Sequence, residues 1–127
     1  MSPRSQALIA IAVGGAIGAL VRAGLAEALP RGDWPVATLV VNVAGTILLA
    51  ALAALIAWRP QLPHWLHPMA GIGFCGSLTT FAGIQVEALL LMRDGLAATA
   101  VLYVVTSLVL GMAAVVATRR LMRAVVA

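Results

Sequence analysis

Four apolar stretches of nearly equal length organise this chain, at roughly residues 7–29, 36–58, 69–92 and 96–118. Each is close to the ~20 residues that a helix needs to cross ~30 Å of hydrocarbon. Only 9% of the 127 residues are charged and 63% are hydrophobic, with a mean hydropathy of +1.09, whereas roughly a quarter of a soluble domain is charged. The expected fold is therefore an all-α membrane protein, with residues 1–127 forming one four-helix transmembrane domain joined by short connections. Arg4 followed by the apolar run to Val21 imitates a secretory leader. No small-residue cleavage site opening a soluble domain follows, and the chain continues through Arg22 and Glu27 into more membrane sequence.

The basic balance comes from arginine alone, and most of these arginines lie at helix ends. Placed there, they point to anionic headgroups of the lipid bilayer rather than to nucleic acid as partner. Arg4, Arg59, Arg119, Arg120 and Arg123 favour one side of the membrane, Arg31 and Arg93 the other, and an even number of spans puts both termini on one side. The connections are PRGDWP, the proline-bounded loop from Pro60 to Pro68, and the tight MRDG turn. Trp34, Trp58 and Trp65 are expected at headgroup level. His64 and His67 have no cysteine or carboxylate near them, so an interfacial loop is expected there rather than a metal site. A single cysteine, Cys75, excludes an internal disulfide.

Polar residues inside the spans fall on helical faces. Gly14, Gly18 and Arg22 share an i, i+4 stripe, which allows close helix approach and turns Arg22 toward protein or water, or else leaves it snorkelling to the interface. Thr38, Asn42 and Thr46 form a second stripe, and the amide of Asn42 needs a partner at that depth. Thr99, Tyr103, Ser107 and Gly111 form a third, where back-bonding of a hydroxyl to its own helix is the ordinary alternative. Three helices with one polar face each imply a wet or ion-conducting seam, although packing into an oligomer would give a similar pattern.

The third span differs. Gly71, Gly73 and Gly76, then Ser77, Thr79 and Thr80, are poor helix formers in succession, so a broken helix is expected there. Breaks at membrane depth survive where they are buried in protein or line a cavity, and freed carbonyls commonly bind a cation; a glycine-rich crossing face is the alternative. Phe81 and Ile84 follow the break, with Gln85 and Glu87 beyond. A phenylalanine ring is positive at its edge, so ring edges, amide N–H groups and hydroxyls could replace water around a small anion.

GGAIGALVR in the first span, WPVATLVVNVAGT entering the second, GFCGSLTTF in the third and the Tyr103/Ser107 pair together make the sequence similar to the Fluc/CrcB family of fluoride channels over nearly its whole length. The resemblance implies a fluoride-selective channel that exports fluoride passively across the cell inner (cytoplasmic) membrane. It implies an antiparallel, dual-topology homodimer with two pores along the subunit interface and a structural Na+ at the break. Residue by residue, Gly76 and Thr79 would give backbone carbonyls to the Na+. Thr38, Asn42, Phe81, Tyr103 and Ser107 would line the pore, and Arg22 and Glu87 would stand at the vestibule. The family usually has a second phenylalanine where this chain has Ile84, so each pore would set Phe81 of one subunit against Ile84 of the other.

Two other classes compete. A small proton-coupled multidrug exporter needs a carboxylate deep in a helix, whereas Glu27 and Glu87 both lie toward span ends. A non-transporting membrane assembly subunit would use its polar stripes only to lock helices together. An enzyme is not expected, because no nucleophile and base share a site and no nucleotide or metal-catalysis motif is present.

Overall fold

The computed structural model describes residues 1–30 and 32–126, and it is helical throughout. Arg31, one of the two arginines expected to favour the second side, lies outside the described residues. Helix α1 (Pro3–Ala28) begins at Ser2, whose hydroxyl caps the backbone N–H of Ser5 at 3.2 Å, with Pro3 in the first turn where its missing N–H costs nothing. Helix α2 spans Val36–Trp58. The third crossing starts as a π-helix over His67–Cys75, tightens to α over Gly76–Leu78 (together α3), and resumes after two extended residues as α4 (Phe81–Arg93). Helix α5 runs from Ala97 to Val126.

Four helical stretches are long and apolar enough to cross a membrane, Pro3–Ala28, Val36–Trp58, His67–Arg93 and Ala97–Val125. The chain is a multi-pass membrane protein. Two of these run past the apolar spans read from sequence: α1 starts four residues earlier, and α5 carries Arg119, Arg120 and Arg123 as further helix instead of stopping at 118. Arginine is a good helix former, so loss of hydropathy does not end the helix.

The α4–α5 turn shows how tightly the connections are specified. Gly95 has φ +79°, the left-handed conformation that a side chain disfavours, and the N–H of Leu96 donates to the Leu91 carbonyl (2.8 Å) while that of Gly95 donates to Met92 (3.2 Å). This is a Schellman C-cap. Leu96 also packs onto the buried cluster of Ile84, Leu91, Ala100 and Tyr103, as does Trp34. Trp34 is thus not purely a headgroup residue, since its ring meets Tyr103 edge-on at 5.8 Å and 86°.

Helix α1 lies against α3 with backbone nearly touching backbone. A Cβ on Gly14 would collide with the Met69 carbonyl, one on Gly18 with the Phe74 carbonyl, and one on Gly73 with Ile11 and Gly15. The glycine stripe therefore faces α3, and Arg22, one turn further on, donates from Nε to the Ser77 carbonyl at 3.0 Å. Helices α2, α4 and α5 form the other side, with α5 packed on both of its partners.

Candidate functional site

The site is built where α3 gives way to α4. Thr79 (φ −82°, ψ 152°) and Thr80 (φ −148°, ψ 116°) are extended, so their peptide groups leave the helical ladder and need other partners. Asn42 supplies them from the middle of α2: its Nδ2 donates to the Thr80 carbonyl (3.1 Å) and its Oδ1 accepts from the Thr80 N–H (2.7 Å). The Thr80 hydroxyl in turn caps α4 by accepting from the Gly83 N–H at 2.9 Å. Gly45 leaves room for the Thr79 methyl against α2, where any Cβ would collide with it.

These bonds have a consequence for the two carbonyls expected to bind a cation. In a continuous helix the Gly76 carbonyl would accept from the Thr80 N–H and that of Thr79 from the Gly83 N–H. Both donors are turned elsewhere, to Asn42 and to the Thr80 hydroxyl. Gly76 and Thr79 also border the same cavity, and a Cβ on Gly76 would meet nothing within 4 Å. Carbonyl oxygens without a helical donor are hard donors of the kind that suits an alkali or alkaline-earth cation.

That cavity, about 520 Å³, brings together Asn42, Phe81, Ile84 and Ser107 of the expected pore residues. Phe81 is 68% exposed at its mouth. Ile84 lines the cavity but is otherwise buried in the cluster around Tyr103. A second cavity of about 270 Å³ gathers Arg22, Thr38 and Glu87, so the two vestibule residues share one space. Thr80, whose N–H and carbonyl are both held by Asn42, borders both cavities.

Tyr103 lines neither cavity. It is 0% exposed, and its hydroxyl donates to Glu87 Oε2 at 2.6 Å while Thr38 donates to Oε1 at 2.7 Å. Glu87 thus ties α2, α4 and α5 together. Ser107 and Thr46 back-bond to the carbonyls of Tyr103 (2.8 Å) and Asn42 (2.7 Å), the ordinary role of a hydroxyl within a helix. What this leaves for an anion in the larger cavity is the second N–H of Asn42, the ring edge of Phe81, and hydroxyls that can rotate. No carboxylate borders it. His64 donates from Nε2 to Gln6 Oε1 at 2.8 Å, and no group of histidine, cysteine and carboxylates able to hold a metal ion occurs among the described residues.

Thr80 is the residue whose role the sequence left out, and Trp34, expected at headgroup level, also packs on Tyr103. Thr80 stood there only among weak helix formers, because a backbone group as partner leaves no trace in residue type. The sole available hint was that Asn42, alone at depth, required something to bond.

Fold and site together define a small helical membrane protein whose spans border a largely apolar cavity that also presents an amide, hydroxyls and one aromatic ring. The family model described as CrcB-like protein, Camphor Resistance (CrcB), matches residues 9–119, and the chain belongs to that family. It is 38% identical over 109 residues to the fluoride-specific ion channel FluC 2 of Geobacillus kaustophilus, covering 84% of each chain. It is 41% identical over 110 residues to FluC 1 of Mycobacterium bovis (85% of this chain, 83% of the relative). Against FluC of Bordetella pertussis the identity is 39% over 100 residues (79% and 78%).

Proposed function

We propose that the protein is a fluoride-selective channel that lets fluoride leave the cell passively across the cytoplasmic membrane. The observation that carries this reading is the cavity holding Asn42, Phe81, Ile84 and Ser107 with no carboxylate, in a chain whose relatives are named fluoride-specific ion channels over most of their length. A small anion gives up its hydration shell to the Asn42 N–H, the Phe81 ring edge and nearby hydroxyls. No full positive charge stands there to trap it, so it can leave as well as enter. Arg22 and Glu87, with Thr38, form the vestibule behind the Thr80 peptide, and Tyr103 acts on the path through Glu87. The hydroxyls of Thr38 and Tyr103 both donate to Glu87, so its two oxygens are engaged by neighbouring helices.

The larger cavity is open on one side, and Phe81 stands exposed there. In this reading a second copy, inserted antiparallel, covers it and gives two pores along the interface. The carbonyls of Gly76 and Thr79, relieved of their helical donors, fit a structural Na+ at the break. When bound, the ion contributes a fixed charge between the two copies.

The test is release of fluoride from liposomes loaded with it, followed by an electrode, with chloride-loaded liposomes as control. Rapid fluoride release that requires a potassium ionophore, without chloride release, is the expected result. Silence from folded protein in both would return the assembly-subunit reading, and proton-coupled uptake of a cationic dye the exporter reading. Phe81→Ala and Asn42→Ala should impair fluoride release while dimers persist; undiminished release in both would remove these residues from the pore.

A further inference from the structure

A third cavity, about 510 Å³, runs between α2 and α5 and meets the larger site cavity at Thr46, Leu49 and Val115. Its wall on α2 is a run of small side chains, Ala50, Ala53, Ala54 and Ala57, ending at Trp58, and its α5 end is closed by Arg119 and Arg123. The two arginines are four residues apart on one helix face and both are exposed.

Three features fix what fits there. The groove extends from Thr46 to Trp58 along α2, ~18 Å at 1.5 Å per residue, which is close to one leaflet of a ~30 Å hydrocarbon core. Between Thr46 at one end and the arginines at the other its α2 wall is apolar, so an ion would lose its hydration along the alanines without replacement, whereas an acyl chain would not. The end bearing Arg119 and Arg123 also carries Arg4, Arg59 and Arg120. Glu27, Asp33 and Asp94 lie at the opposite end of the helices, and Glu87 is held by Thr38 and Tyr103. No aspartate or glutamate therefore competes for these guanidinium groups among the described residues.

We infer that this groove is a binding site for an anionic phospholipid, with one acyl chain along Ala50–Ala57 and the headgroup phosphate between Arg119 and Arg123. Guanidinium forks match phosphate oxygens bidentately, and Trp58 sits at the glycerol level, where indoles favour the interface. The site requires only the membrane-spanning helices, and its arginine end lies beyond the residues it shares with the larger cavity.

Full-length protein carrying Trp34→Phe and Trp65→Phe leaves Trp58 as the sole indole. It is reconstituted in phosphatidylcholine vesicles, and phosphatidylglycerol or phosphatidylcholine brominated on the acyl chains is titrated in to quench it. The expected preference for phosphatidylglycerol is about 30-fold, roughly fivefold for each arginine. Arg119→Gln with Arg123→Gln should bring the two lipids level, whereas Arg120→Gln, next in sequence but outside the groove, should leave the preference intact. Equal quenching in the parent protein, a preference that survives the double variant, or an equal loss with Arg120→Gln would each overturn the site. Absence of quenching by either lipid would overturn it too, and would mean that a second copy of the chain covers this face.

Discussion

The two sides of this molecule use the same residue to opposite ends. Between α1 and α3, Gly14, Gly18 and Gly73 are there because backbone fills the space that a Cβ would take. In α3 and on α5, Gly76 and Gly111 border the 520 Å³ cavity and have nothing within 4 Å of that position. On the first side glycine closes an interface within the chain, giving the close approach by which helices associate in lipid. On the second it keeps a space open. A glycine stripe read from sequence is thus ambiguous until its partner is known, and the molecule sets a closely packed half against an open half.

Substitutions should separate the halves. The largest effect is expected from Gly18→Leu, which drives a side chain into the Phe74 carbonyl; overpacking of this sort should cost about 3 kcal/mol or more and appear as loss of monodisperse protein in mild detergent. Asn42→Ala comes next. It strips partners from both polar groups of the Thr80 peptide, and unsatisfied buried groups of this type cost about 1–3 kcal/mol, which thermal unfolding in detergent should register. Glu87→Gln leaves one carbonyl oxygen where two carboxylate oxygens accept from Thr38 and Tyr103, a loss of about 1 kcal/mol in the same measurement. The smallest change, and the only one of opposite sign, belongs to Gly111→Ala. With open space beside it, the variant should gain about 0.5–1 kcal/mol from helix propensity alone. A marked destabilisation there would erase the distinction between the two kinds of glycine.

How much of this was legible in the sequence depends on what each feature demands of residue type. The spans were legible because crossing hydrocarbon imposes both length and apolarity, and the Gly14–Gly18–Arg22 stripe because a helix repeats at i, i+4. The weak stretch before Phe81 stood out through glycine and threonine content, and the structure has its two extended residues at Thr79 and Thr80. What could not be read were partners that are backbone or far away in sequence. Asn42 bonds a peptide group, which any residue presents. Glu87 finds Thr38 and Tyr103 at 49 and 16 residues' separation, on helices whose relative rotation no local pattern encodes. The reach of α5 to Val126 was hidden because arginine ends an apolar span without ending a helix.

The central claim is that the open half is the path of the ion. Its most direct test is fluoride release from liposomes by the parent protein and by Gly111→Leu, side by side, with both confirmed as folded dimers by chromatography and circular dichroism. Gly111 borders the cavity one turn from Ser107, so a leucine there should fill space without breaking a bond, and release should slow several-fold. Equal rates from the two proteins would contradict the account and place the path elsewhere.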